Sequence, residues 1–133
     1  MDPRWHVTLA FLGEQPSPDA FDLAPVGARH EPFPLALSGV TRLGRSVVAA
    51  GVRGDTRALA QLAHDVQRAC RAAGAGLERR RWQPHLTLGR DGLVPPALGE
   101  YEGPGWTVSE VELVRSVLGR TAAHEVLRTF GLG

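Results

Sequence analysis

The sequence predicts an α+β domain, and three observations support this class. Several segments alternate apolar, β-favouring residues with polar ones, as half-buried strands do. One segment repeats apolar residues at three- and four-residue steps, as an amphipathic helix does. Capping and stop signals mark a second, shorter helix. In order, the elements form the pattern β-α-β-β-α-β-β-β, which is typical of an α+β fold.

Glycine and proline set the boundaries of most predicted elements. Ser17 as N-cap and Pro18 at the first helical position begin the short helix, which Pro25 and Gly27 end. The Gly- and Pro-rich residues 90–105 are predicted to form a long loop. The predicted strands cover residues 5–12, 33–40, 46–52, 82–89, 107–116 and 123–130.

The longer predicted helix begins at Asp55 or Thr56 and ends before Gly74. His64 and Arg68 are expected on its solvent-facing side. Its buried face is predicted to carry Leu59, Leu62, Ala63, Val66, Ala69, Cys70 and Ala73.

Size and composition indicate one domain, residues 1–133, with a hydrophobic core. Of the 133 residues, 43% are apolar. No apolar run approaches the ~20 residues of a membrane span, and no secretory leader is recognisable, so a cytoplasmic protein is expected. Cys70 is the single cysteine, which excludes an internal disulfide and a cysteine-based zinc site. It is predicted to be a packed thiol, and no cofactor is expected.

The charge balance excludes a protein that attracts nucleic acid through a strong overall field, because the net charge is only +1. All 15 basic residues are arginine. A positive charge that binds phosphate must therefore come from arginine or histidine, and the planar guanidinium is well suited to that task.

Two copies of the phrase H-x-T-hydrophobic are the main functional signal. One contains His6 and Thr8, and the other contains His85 and Thr87. Because residues i and i+2 of a strand share a face, each copy sets one imidazole and one hydroxyl on one side. Two such strands facing each other would form a pocket with two histidines and two threonines.

This set of groups suits chemistry at a phosphodiester. Its cleavage needs a base for the attacking oxygen, an acid for the leaving oxygen, and donors to the nonbridging oxygens. Histidine serves as acid or base near neutral pH. Threonine hydroxyls donate hydrogen bonds to phosphoryl oxygens. The pattern needs no metal ion and offers no adjacent carboxylate to hold one.

The residues around both copies resemble one known family. HVTLAFLGE at 6–14 and QPHLTLGR at 83–90 are similar to the two signatures of the 2H phosphoesterase superfamily. They resemble most the bacterial RNA 2′,3′-cyclic phosphodiesterases, also called 2′-5′ RNA ligases. The segments FPLALSGV, ELVRS and HEVLRTF and the helix from Asp55 follow that family's order of elements. The resemblance covers nearly the whole chain.

The resemblance implies a bilobal fold, with two antiparallel sheets facing across a V-shaped cleft and helices on the outside. His6 and Thr8 would line one wall, and His85 and Thr87 the other. It also implies metal-independent hydrolysis of 2′,3′-cyclic phosphates, on RNA ends or nucleotides, to a 2′-phosphate. The reverse reaction would form a 2′-5′ linkage.

The resemblance also assigns roles to single residues. By motif position, His6 would donate a proton to the departing 3′ oxygen, and His85 would accept one from the attacking water. These roles exchange in the reverse reaction. Thr8 and Thr87 would bind the phosphate.

Other residues have weaker assignments. Phe11 stands where the family has an aromatic residue near the nucleotide, and a core role is the alternative. Arg90 follows the second copy and would meet phosphate, although strict strand alternation turns it away. His30 and His64 are expected to be solvated. The arginines at 79–81 form either a solvated turn or a guide for an RNA backbone.

In the family, a strand and a helix normally precede the first copy, whereas Met1 lies five positions before His6. Three explanations are open: a misassigned start, a trimmed chain or a truly short protein. A truly short form would expose a sheet edge and apolar surface, which would favour homodimerisation, strand exchange or instability.

Two alternatives to this enzyme are left open by the sequence. One is a non-catalytic nucleotide- or RNA-binding module that keeps the pocket. The other is a cyclic phosphodiesterase for another small cyclic phosphate, such as ADP-ribose 1″,2″-cyclic phosphate. Binding without turnover would indicate the module, and substrate preference would be set by variable loops.

Overall fold

The structure is a computed structural model that describes residues 6–43, 47–77, 84–90, 102–117 and 123–133. Helices and strands are interspersed in its first half, and strands predominate in its second. In chain order the elements are β1 (His6–Val7), a 3₁₀ helix (Pro18–Ala20), α1 (Ala24–Gly27), β2 (Phe33–Leu43), β3 (Val47–Gly54), α2 (Thr56–Ala72), β4 (Leu86–Arg90), β5 (Glu102–Val108), β6 (Glu110–Val117) and β7 (Ala123–Gly131).

The described strands form two antiparallel sheets. The larger has five strands in the order β1-β4-β3-β2-β5, and β6 and β7 form a two-stranded sheet. The short strand β1 lies at one edge of the larger sheet, and β5 lies at the other. This architecture confirms the predicted α+β class with antiparallel sheets.

Local sequence signals determine where the helices begin. Ser17 Oγ accepts a hydrogen bond from the Asp19 N–H at 3.2 Å, and Asp55 Oδ1 accepts one from the Ala58 N–H at 3.0 Å. Both N-caps are therefore as predicted. Pro25 lies in the first turn of α1 rather than at the end of a helix. Proline is tolerated there because the first turn needs no N–H from it.

The apolar face of α2 forms the centre of the hydrophobic core. The five buried residues of α2 all belong to its predicted face, whereas Ala73 is the C-cap and is exposed. Burial raises the pKa of the Cys70 thiol, as expected for a packed side chain. The residues that surround α2 in this core are Phe21, Leu23, Val26, Phe33, Leu35, Ala75, Val111, Leu113 and Phe130.

A tight connection sets α2 against the larger sheet. Gly54 has a φ of +107°, and a Cβ there would lie 2.7 Å from the carbonyl oxygen of Pro34, so glycine is required. Asp55 then donates its N–H to the same oxygen at 2.9 Å. Because Pro34 belongs to β2, the helix starts beside the sheet and covers one of its faces.

One strand was not predicted. β5 occupies part of the segment 90–105, which was predicted to be a loop. The single strand predicted over 107–116 is divided at Ser109 between the end of β5 and the start of β6. β5 pairs with β2, with Trp106 opposite Leu35. Gly105 lies so close that a Cβ would be 3.2 Å from the Leu35 carbonyl oxygen. Tertiary pairing here outweighs the low strand propensity of glycine and proline, and an edge strand tolerates both.

Some sequence predictions concern residues outside the described ranges. The arginines at 79–81 and residues 91–101 of the predicted loop are among them. Within the described part of the chain, no helix is long and apolar enough to cross a membrane.

Candidate active site

The two H-x-T segments lie next to each other in the larger sheet. β1 pairs with β4 in antiparallel register, and the Cα of His6 is the partner of the Cα of Thr87. The Cα of Val7 is in turn the partner of the Cα of Leu86. His6 is therefore placed across from the threonine of the other segment.

Side chains alternate between the two faces of this strand pair. Val7 lies opposite the buried Leu86, and Val7 and Leu9 both pack against the hydrophobic core. His6 and Thr8, which alternate with them, are exposed. The imidazole and hydroxyl of the first segment thus project from the face that α2 does not cover. This confirms the predicted division of faces for the first segment.

The strand pairing predicts that both imidazoles share one face of the sheet. His85 directly precedes the buried Leu86 and is half-buried, so side-chain alternation is expected to place it on the face of His6. His85 lies two positions before Thr87, which makes it the diagonal neighbour of His6. Diagonal neighbours in antiparallel pairs lie about 7–8 Å apart. Two rings that start from this spacing can approach one phosphorus atom from two sides.

This arrangement corrects one expectation from the sequence. The two H-x-T segments were placed on opposite walls of a cleft, whereas they are neighbours in one sheet. The backbone of β1 bonds to that of β4, which directs side chains to a shared face rather than toward each other. β1 is also shorter than the predicted strand 5–12, since the chain leaves the sheet after Val7.

The two further candidates for substrate contact flank these segments. Phe11 follows the first segment and is 81% exposed, so the alternative of a core role is wrong. The backbone of Arg90 lies at the end of β4, opposite Val47 of β3. Phe11 is thus an aromatic ring presented to solvent close behind the first histidine and threonine.

A residue that no sequence motif singled out contacts the first segment. Gln67 of α2 donates its Nε2 N–H to the carbonyl oxygen of Leu9 at 2.8 Å, in a partly buried contact. The two residues are 58 positions apart, so no local motif links them. Gln67 lies beside Val66 at the margin of the buried helix face, and this position was the available signal.

His30 is not solvated, which corrects another expectation. Its Nε2 lies 2.7 Å from Asp65 Oδ2, and the two side chains are 12% and 26% exposed. The hydrogen bond with His30 lowers the pKa of Asp65, although burial acts in the opposite direction. His64 is exposed, as predicted. The pair ties the loop after α1 to α2.

An open cavity of about 650 Å³ lies beside this pair, but no residue of the H-x-T segments lines it. The paired histidines and threonines lie on the sheet face instead, so the candidate chemistry is assigned there. Among the described residues, no group of three or more His, Cys, Asp or Glu is placed to hold a metal ion. The cavity is lined by Arg29, His30, Arg57, Ala60, Gln61, His64 and Asp65.

Comparisons with known proteins give consistent matches. The family described as the 2′-5′ RNA ligase superfamily matches residues 2–120. An RNA 2′,3′-cyclic phosphodiesterase of Geobacillus stearothermophilus is 33% identical, over 96% of this chain and 45% of that protein. A protein of the same name from Aeropyrum pernix is 31% identical, over 90% of this chain and 76% of that protein. The chain thus spans less than half of the first relative's length and about three quarters of the second's.

Solved structures match the fold. The crystal structure of E. coli LigT complexed with 3′-AMP is 30% identical, with a TM-score of 0.76, over 97% of this chain and 77% of that chain. A structure described only as a phosphoesterase is 28% identical, with a TM-score of 0.78 over the same shares. In both cases the likeness covers nearly the whole chain.

Proposed function

Because the chain belongs to the 2′-5′ RNA ligase superfamily, we propose that it hydrolyses 2′,3′-cyclic phosphates on RNA ends or nucleotides to 2′-phosphates. The observation that carries this proposal is the antiparallel pairing of the two H-x-T segments, in which the Cα of His6 is the partner of the Cα of Thr87. The names of the two curated relatives, both RNA 2′,3′-cyclic phosphodiesterases, support the choice of substrate.

In the proposed reaction, water attacks the phosphorus of the cyclic phosphate. His85 accepts a proton from the water as the new P–O bond forms. The bond from phosphorus to the 3′ oxygen breaks, and His6 donates its proton to that oxygen. The products are a 2′-phosphate and a free 3′ hydroxyl, and one further proton transfer between the rings through solvent restores the starting state. In the reverse direction, toward a 2′-5′ linkage, the two histidines exchange roles.

The spacing of the two rings suits this division of labour. An acid and a base must act on opposite sides of phosphorus, since the attacking and leaving oxygens lie roughly in line. Diagonal positions on paired strands offset the two rings along the strands as well as across them. A general acid or base contributes about 10²–10⁴ in rate.

The threonines are proposed to hold the phosphate between the rings. Thr8 is exposed on the face of His6, and its hydroxyl can donate to a nonbridging oxygen. Thr87 is the backbone partner of His6 and is proposed to donate from the other strand. Donors of this kind stabilise negative charge that builds on phosphoryl oxygens. Acid, base and donors together make up the proposed step without a metal ion.

Two more residues are proposed to contact the substrate. Phe11 presents an exposed ring after the first segment, where a nucleotide base can stack on it. Arg90 ends β4 and is proposed to meet phosphate, with a planar guanidinium suited to bidentate contacts.

Single histidine variants test the proposed function. His6→Ala and His85→Ala are each expected to lower kcat for 2′,3′-cyclic AMP by at least about 100-fold, because each removes one proton-transfer group. His64→Ala is the matched control, since this imidazole is exposed on α2 and distant in sequence from both segments. Retention of hydrolysis by either site variant would show the mechanism to be wrong.

A binding measurement separates this enzyme from a non-catalytic module. Isothermal titration with 2′-AMP, the proposed product, is run alongside the turnover assay on the same preparation. The proposal expects both binding and turnover. Binding of 2′-AMP without turnover of the cyclic nucleotide would indicate a nucleotide-binding module instead.

A further inference from the structure

Within the described residues, which begin at His6, the regular structure of the first H-x-T segment is the two-residue strand β1. This strand lies at the edge of the larger sheet, with β4 as its neighbour there. Thr8 lies beyond the end of the strand. Two paired residues at an edge do not by themselves fix the backbone that carries both His6 and Thr8.

A side chain from α2 supplies an additional anchor at this point. The Gln67 amide donates to the carbonyl oxygen of Leu9, directly after Thr8, at 2.8 Å. α2 is a 17-residue helix whose neighbouring residues Val66 and Cys70 are buried in the core. Gln67 therefore links the backbone at the end of the first segment to a helix that is packed in the core.

The contact lies on the opposite side of the sheet from the proposed reaction. Val7 and Leu9 pack toward the core under α2, whereas His6 and Thr8 project from the other face. Gln67 approaches from the side of the core, so it does not reach a phosphate held by the histidine and threonine. Its effect on catalysis must pass through the backbone that it holds.

We propose that Gln67 is a positioning residue, which holds His6 and Thr8 in register with the second H-x-T segment through its hydrogen bond to Leu9. This inference rests on the proposed function of His6 and Thr8. Displacement of reacting groups by about 1 Å costs on the order of 100-fold in rate, so a distant anchor is enough to control turnover.

The first test replaces the amide with an apolar side chain of similar length. Gln67→Met removes the donor and keeps the volume, and we expect kcat for 2′,3′-cyclic AMP to fall at least about tenfold. KM should change less than kcat, because the side chains proposed to contact the phosphate are all still present in this variant. Gln61→Met is the matched control on an exposed position of α2, and it should behave as wild type.

A second variant provides a signature that a merely structural role would not give. In Gln67→Glu the ionised carboxylate cannot donate to the Leu9 carbonyl, whereas the protonated acid can. The burial and the facing carbonyl both favour protonation. The kcat of this variant relative to wild type should therefore rise as the pH is lowered from 8 to 5. A ratio that stays constant with pH would overturn the proposal.

Hydrogen exchange separates a failure of this inference from a failure of the proposed function. Amide exchange at Thr8, Leu9 and Ala10 should be faster in Gln67→Met than in Gln61→Met. If wild type hydrolyses the cyclic nucleotide and Gln67→Met matches it in kcat, the inference is overturned. If wild type shows no turnover, the proposed function fails; faster exchange in Gln67→Met would then support the anchor, and unchanged exchange would overturn it.

Discussion

The Cα atoms of His6 and Thr87 are partners across the antiparallel pair of β1 and β4. The first segment has His6 on β1 and Thr8 just beyond it. The second has Thr87 on β4 and His85 just before it, so the two segments adjoin in one sheet instead of forming two walls. A shift of one strand along the other would move an imidazole relative to the hydroxyl of the partner segment. The register of this short pair is therefore part of the proposed catalytic geometry.

The threonine hydroxyls should contribute to turnover. Thr8→Val and Thr87→Val keep the side-chain shape and remove the donor, and each should lower kcat for 2′,3′-cyclic AMP by about 10- to 100-fold. Removal of a preorganised oxyanion donor lowers kcat by ~10²–10³. The loss expected here is at the lower end of that range or below it, because Thr8 is exposed to water. Thr129→Val, at an exposed position of β7, is the control. Site variants with the kcat of that control would refute the phosphate-holding role.

Phe11 should affect substrate binding without affecting stability. Because Phe11 is 81% exposed, Phe11→Ala should leave the free energy of unfolding within about 0.5 kcal/mol of wild type. Base–aromatic stacking contributes about 1–3 kcal/mol per base, so KM for the cyclic nucleotide should rise at least about fivefold. Phe11→Tyr should retain the wild-type KM. The control Val126→Ala removes apolar surface that is 50% exposed elsewhere, and an equal KM in Phe11→Ala and this control would argue against stacking.

The pair of His30 and Asp65 should make stability depend on pH in a defined direction. In the folded state the pKa of Asp65 is lowered from its ordinary 3.8. A lowered carboxyl pKa stabilises the fold above the unfolded-state value, and this contribution is lost as pH falls through the folded-state value. Asp65→Asn should therefore reduce the free energy of unfolding in urea by about 1 kcal/mol at pH 7, since the pair is partly exposed.

The difference between wild type and Asp65→Asn should shrink as the pH falls below about 3.8, because the wild-type carboxylate then becomes protonated. Asp19→Asn, on an exposed residue of the 3₁₀ helix, is the charge-matched control. A stability difference for Asp65→Asn that does not change between pH 7 and pH 3 would contradict the role assigned to this pair.

Elements fixed by local chemistry were predictable from the sequence. The N-caps Ser17 and Asp55 and the apolar face of α2 depend on residues within a few positions of one another. β5 was missed because its glycines and proline oppose strand formation locally, and pairing with β2 overrides that preference. The first strand was overestimated, since its alternation continues beyond Val7 while its pairing with β4 does not.

The candidate site also combines features that local sequence predicts with features that long-range pairing determines. The chemistry of His6, Thr8 and His85 was visible in the repeated motif, as was its alternation between faces. Their mutual placement was not visible, because the motif allows the segments either to face each other or to pair side by side. Long-range contacts such as Gln67 with Leu9, and His30 with Asp65, join residues that no local motif links.

The central claim is that His6 and His85 act on one phosphate as a single acid–base pair, and the double variant His6→Ala/His85→Ala tests it most directly. Groups that act as a unit are strongly non-additive when removed. We expect the kcat/KM of the double variant for 2′,3′-cyclic AMP to lie within about tenfold of the slower single variant. A loss equal to the product of the two single losses would show that the histidines act independently, and would contradict the account.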